Sequence, residues 1–145
     1  MKKYLLISYI LFLLAIVLYS CQPDNVTPNS DDTRDKIVDT WNCSENSTEF
    51  GQQAYQVDIA IDPNYSDRVI LDNFFGLGTG KDVYAKMSGY QLTIPSQIVT
   101  VSQYDKWTFA GSGTISSNYK TISLNYTADN SNGAKPVTAT YTLPN

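Results

Sequence analysis

The sequence predicts an all-β domain: an up-and-down antiparallel β-barrel of eight or nine strands, with a β-sandwich as the alternative architecture. Three observations carry this expectation. Apolar residues recur with a period of two from Ile37 to the C-terminus, the spacing of half-buried strands. The runs are short and broken by turn residues at regular intervals, as in barrels and sandwiches. Nothing after Cys21 carries the period of an amphipathic helix. A single twisted sheet of that many strands would leave a long apolar face in water. Closing the sheet covers that face and removes its unpaired edges.

The strands follow in order. The first opens at Ile37 and carries Trp41 and Cys43 on one face. In the next, Tyr55, Val57, Ile59 and Ile61 alternate with Gln56, Asp58 and Ala60, ending at the turn residues Asp62-Pro63-Asn64. Val69 and Leu71 share a face and lead into Phe75-Gly76-Leu77-Gly78-Thr79-Gly80, a flexible loop expected at a barrel mouth. Val83, Ala85 and Met87 alternate with Tyr84 and Lys86 before the turn at Ser88-Gly89. Leu92 and Ile94 precede Pro95, and Val99 and Val101 form another short run. Trp107, Phe109 and Ile115 keep one parity through Gly111 and Gly113, which suit a sharp bend or a close backbone approach. Ile122, Leu124 and Tyr126 share the next face, and Val137, Ala139, Tyr141 and Leu143 the last.

The N-terminus reads as an address. Lys2 and Lys3 precede Tyr4–Leu18, an uncharged run that as a helix would span roughly 22 Å, short of a ~30 Å hydrocarbon core. A basic start, a short apolar run and small residues after it describe a signal peptide over residues 1–20. Leu18-Tyr19-Ser20-Cys21 resembles a bacterial lipobox, with Tyr19 standing where a small residue is usual. The resemblance implies that the Cys21 sulfur takes a diacylglycerol and that its freed amine takes an acyl chain such as palmitate. At ~0.8 kcal/mol per buried methylene, several chains hold a protein in a membrane. Gln22 rather than Asp after that cysteine implies, by the same resemblance, the outer membrane, facing either the periplasm or the cell surface. Residues 21–36 hold Pro23, Pro28 and four aspartates, with Val26 as the one sizeable apolar side chain of the stretch after Cys21. Such a stretch buries too little to offset its ordering entropy and reads as a flexible tether reaching roughly 20 Å. The barrel domain is expected over residues 37–145.

Composition excludes several function classes. The chain has 145 residues, a formal charge of -4, two cysteines and no histidine. Without histidine there is no Ser-His-Asp or Cys-His catalysis and no His-ligated metal. An acidic chain without a basic stripe does not suit nucleic acid. No cofactor or metal is expected, and the protein reads as a non-enzyme.

Longer segments carry a second resemblance. Lys36-Ile37-Val38-Asp39-Thr40-Trp41, Val69 through Phe75, Leu92-Thr93-Ile94-Pro95-Ser96-Gln97, Gly111-Ser112-Gly113-Thr114-Ile115 and Ile122-Ser123-Leu124-Asn125-Tyr126 resemble the small secreted lipoproteins of Bacteroidetes with a lipocalin-like (calycin-like) β-barrel. Asp39 stands where lipocalins have the glycine of Gly-x-Trp, and no arginine follows Arg68 to close the barrel base over the tryptophan.

Candidate sites follow from the alternation. The expected barrel lining is Trp41, Tyr55, Val57, Ile59, Leu71, Met87, Trp107, Phe109, Leu124 and Tyr141. Eight strands enclose a space that side chains can just fill or that holds one small ligand. A small apolar or amphipathic ligand is therefore the first expectation. A filled barrel acting as an interaction or glycan-contact module is the alternative. Phe74, Phe75, Tyr84 and Tyr90 are expected near a mouth or on the surface, where aromatics stack on sugars or meet proteins. Trp41 is expected to plug one barrel end beside a buried Cys43 thiol. Asp58, Asp62, Asp67, Asp72 and Asp82 read as solvated charges rather than a catalytic pair. Asp62–Asp67 and Asp129–Gly133 read as hairpin turns, since neither has calcium-loop spacing.

Overall fold

The computed structural model describes residues 32–144. The signal peptide, Cys21 and most of the expected tether lie outside the described residues. Eight strands form: β1 (Asp39–Ser47), β2 (Gly51–Ile61), β3 (Arg68–Asp72), β4 (Val83–Ser88), β5 (Gln91–Thr100), β6 (Lys106–Ile115), β7 (Thr121–Asp129) and β8 (Lys135–Thr142). Each pairs antiparallel with the next, and β8 returns to β1, so the sheet is a closed up-and-down barrel. The β1–β2, β3–β4, β5–β6 and β7–β8 connections meet at one end, the mouth. The other three connections and the N-terminal turn meet at the base.

Inward positions are those the alternation marks. Trp41, Val57, Ile59, Val69, Leu71, Val83, Met87, Leu92, Phe109, Ile122, Leu124 and Tyr141 are all buried in one core. At ~25 cal/mol per Å² of apolar surface, this continuous wall of side chains supplies the main drive to fold. Gly111 and Gly113 let β6 and β7 approach closely. A Cβ at Gly111 would lie 2.5 Å from the Asn125 carbonyl oxygen, and one at Gly113 2.8 Å from that of Ser123.

Two local features refine the expected pattern. The runs around Leu92 and Val99 are one strand, which accounts for eight strands rather than nine. The register of β5 against β6 shifts between Ile94 and Gln97, beside Pro95, which has no N–H to give a ladder. The Gln97 side chain repairs the break, since its amide accepts from Tyr84 N (3.0 Å) and donates to Tyr84 O (2.8 Å). The shift also flips parity, leaving Ile98 67% exposed.

Secondly, residues 32–36, at the end of the expected tether, pack on the barrel. Thr33–Ile37 forms a 3₁₀ turn capped by the Asp32 side chain on Arg34 N. The buried Arg34 guanidinium donates to Tyr65 O (2.6 Å) and Arg68 O (2.9 Å) across the β2–β3 connection and pairs with Asp32 (2.6 Å). Composition hid this because an arginine normally marks a solvated chain. Here each guanidinium nitrogen finds a partner, and Ile37 is fully buried.

One irregularity shapes the mouth. β3 has 5 residues against 11 in β2, and the two pair only from Asp58–Ile61 to Val69–Asp72. The mouth half of β2 therefore has no strand beside it on that edge. A 3₁₀ turn, Phe74–Gly76, fills the gap.

Candidate functional site

The gap-filling turn begins where the two-residue period ends. Asn73 (φ 60°) and Phe75 (φ 59°) both take the left-handed conformation, which costs a non-glycine residue roughly 1–3 kcal/mol. Asn73 offsets this by standing in for the missing strand, its Nδ2 donating to Gln56 O (2.7 Å) and its Oδ1 accepting from Gly78 N (2.7 Å). The doubled-back chain drives both phenylalanine rings inward. Phe74 and Phe75, expected near a mouth or on the surface, lie in the mouth half but are 0% and 1% exposed. Phe74 packs on Tyr126 (4.7 Å between ring centroids) and Phe109 (5.1 Å). Phe75 packs on Trp107 (5.0 Å) and on Phe50 (5.3 Å), which is half-exposed at the rim.

The other predicted residues divide by height. Trp41 lies fully buried toward the base, its Nε1 donating to Ile37 O at 2.9 Å. Val57, Ile59, Leu71, Met87 and Leu124 are buried core residues, and Trp107 and Phe109 pack on the inserted rings. Tyr55 is half-buried and Tyr141 fully buried, both at the polar cluster described below. Tyr84 and Tyr90 lie on the surface rather than at the mouth. Tyr84 lies on the outer wall under the Arg68 guanidinium (4.4 Å), and Tyr90 is at the base against Tyr119 (5.3 Å).

The sequence reading missed Glu45. It follows Trp41 and Cys43 at the same parity, so the alternation already placed it inward. Only its charge spoke against burial. Glu45 is 1% exposed. Its Oε2 accepts from the Tyr55 hydroxyl at 2.5 Å and from the Tyr126 hydroxyl. Its Oε1 and the Tyr141 hydroxyl are buried without a partner among the described residues. Burial raises the Glu45 pKa above the usual carboxylate range, while the two phenol hydrogen bonds pull it back. Burial likewise pushes the Cys43 thiol up to about 12, leaving it an inert apolar neighbour rather than a nucleophile. The phenols of Tyr55, Tyr126 and Tyr141 are raised chiefly by burial and stay protonated donors. On the outside, an open depression of about 390 Å³ lies between β2 and the inserted turn, lined by Gln53, Ala54, Tyr55 and Gly76. Tyr55 thus connects the depression to the buried carboxyl.

The remaining acids are mostly peripheral. Asp58 is exposed and bonded by Thr40 Oγ1. Asp62 is buried, contrary to expectation, because it closes a turn on Asn64 N (3.0 Å). Asp72 and Asp82, distant in the sequence reading, interact at the root of the inserted turn. Burial and the Asp72 charge raise Asp82. Burial opposes ionisation of Asp72 too, but N–H donors from Gly80 and Asn73 hold it below its ordinary value. Asp129 caps its turn through Ser131 N and Gly133 N.

No protein-family model matches the chain, and no curated protein matches it. Among solved structures, a redesigned beta barrel is similar at 16% identity and a TM-score of 0.43, covering 77% of this chain and 95% of its own. EF1p2_mFAP2b bound to DFHBI is similar at 14% identity and a TM-score of 0.48, covering 76% of this chain and 95% of its own. The chain is an eight-stranded antiparallel β-barrel by its own strand pairing.

Proposed function

We propose that this protein is a lipid-anchored, non-enzymatic component of a bacterial envelope, which takes up a small apolar or amphipathic ligand through the gap between β2 and β3. One observation carries the reading. The wall there is closed by a strained turn with two phenylalanine rings in the interior, not by a strand. A ligand that takes the place of those rings lets the turn relax and meets an aromatic lining with few polar groups, the usual chemistry of a small-molecule site. The lipobox-like Leu18-Tyr19-Ser20-Cys21 and the following Gln22 support anchoring in the outer membrane. The lack of histidine and the inert Cys43 support the absence of catalysis.

Native mass spectrometry of the full chain, released from detergent micelles, tests the uptake. A co-purified small molecule, lost on denaturation, is the expected result. A bare mass even after incubation with envelope lipids would overturn the reading. It would favour a filled barrel that contacts a glycan or protein through its surface, for which the 91% exposed Tyr104 on the mouth hairpin speaks. Cys21→Ser is expected to leave folding unchanged and move the protein from the membrane to the soluble fraction. Retention in the membrane would point to an uncleaved anchor.

A further inference from the structure

We infer that the mouth half of the barrel binds a small organic ammonium ion, with the Glu45 carboxylate as its counter-ion and the surrounding aromatic rings as its walls. The inference rests on the proposal that the barrel takes a ligand, and it adds the charge of that ligand.

The buried carboxyl is incomplete. The titratable groups facing Glu45 are Cys43 on its own strand β1, Tyr55 on β2, Tyr126 on β7 and Tyr141 on β8. None is cationic. Two hydroxyls donate to Oε2 and partly offset the burial that disfavours the ionised form, while Oε1 has no partner among the described residues. Buried charges are ordinarily paired. A positive donor from outside the chain at Oε1 would supply that pairing and stabilise the carboxylate that burial disfavours.

The surroundings suit that donor. Tyr126, bonded to Glu45, has its ring against Phe74, and Phe75 lies against both Trp107 and Phe109 (5.5 Å). Aromatic faces attract cations, most strongly where water is excluded. Alternatives fit less well. A purely apolar ligand would leave Oε1 and the Tyr141 hydroxyl unpaired, and an anion would meet the Glu45 charge. The two inserted rings set the size, so displacing one of them admits a ligand with the bulk of about one phenyl group. The open depression lined by Tyr55 and Gly76 lies outside this point, with Tyr55 between it and Glu45.

The test compares two probes of nearly equal shape, phenethylammonium and neutral phenethyl alcohol. Both are titrated into the full chain in phosphatidylcholine nanodiscs and followed by tryptophan fluorescence, which Trp107 reports from beside Phe75. The ammonium is expected to bind at least tenfold more tightly than the alcohol. Glu45→Gln should abolish that preference, so that the two probes bind within about twofold of each other. Equal binding of the two probes, binding of neither, or a preference that survives Glu45→Gln would overturn the inference. Should the variant fail to fold, the two-probe comparison on the unmodified chain decides alone. Native mass spectra separate the two readings. A neutral co-purified lipid with no ammonium preference sinks the counter-ion role and leaves uptake standing, whereas bare spectra and no probe binding sink both.

Discussion

Trp41 and Glu45 show how much a single inward position decides. Both lie on the core face of β1, four residues apart, and both are essentially solvent-free. Trp41 is fully satisfied, with its ring in the core and its one donor on Ile37 O. Trp41→Ala should therefore cost roughly 3–5 kcal/mol, the range for truncating a large buried aromatic, read as a lower denaturant midpoint in urea unfolding. A loss below about 1 kcal/mol would contradict its place in the core. Glu45 is only half satisfied, and the residue type concealed it. Parity argued for the interior and charge for solvent, and the side chain went inward because Tyr55 and Tyr126 supply donors from β2 and β7. Those donors are remote in sequence, so no local pattern around Glu45 could announce them.

At the scale of elements, the turn Phe74–Gly76 was the least legible part of the chain. The period of two stops at Asp72, so nothing in the alternation places Phe74 and Phe75 inside. They go inside because β3 is too short to cover β2, a fact about pairing rather than about either residue. The carboxylates at the root of this turn make its stability depend on pH. Asp82 has a raised folded pKa, so its contribution is full below the ordinary carboxyl range and fades as pH rises through that folded value. Asp72 is lowered and acts in the opposite sense, its contribution fading as pH falls. At neutral pH the two charges repel. Asp82→Asn should slow amide hydrogen exchange over residues 73–80 several-fold at neutral pH and change little at low pH. Unchanged exchange at neutral pH would show that the pair does not govern the turn. The base reverses the lesson of the mouth. Residues 32–36 looked like linker, yet Arg34 found backbone carbonyls across the β2–β3 connection.

For the whole molecule, global stability carries the signature of the buried acid. The Glu45 pKa is raised on folding, so unfolding releases a proton across a window that opens near the unfolded carboxyl value of about 4. The sign follows directly. Stability from this group is complete below that value, declines as pH rises, and levels off once Glu45 ionises in the folded barrel. Thermal unfolding of the unmodified chain should therefore lose more stability through this window than Glu45→Gln does. Parallel pH profiles would mean that the carboxyl is not held in the interior. A bound ammonium ion should flatten the decline, because it stabilises the ionised form within the fold.

By itself the sequence determined the all-β class and the inward face of nearly every strand, and it favoured a closed sheet over a sandwich, which the pairing of β8 with β1 decided. Side chains alternate across a strand, and a long apolar face cannot stay in water. Only the tertiary structure decided that Glu45 lies among three tyrosines, that two phenylalanines close a gap in the wall, and that an arginine ties down the base. Each depends on groups far apart in the chain, and strand register, not local pattern, sets which of them meet.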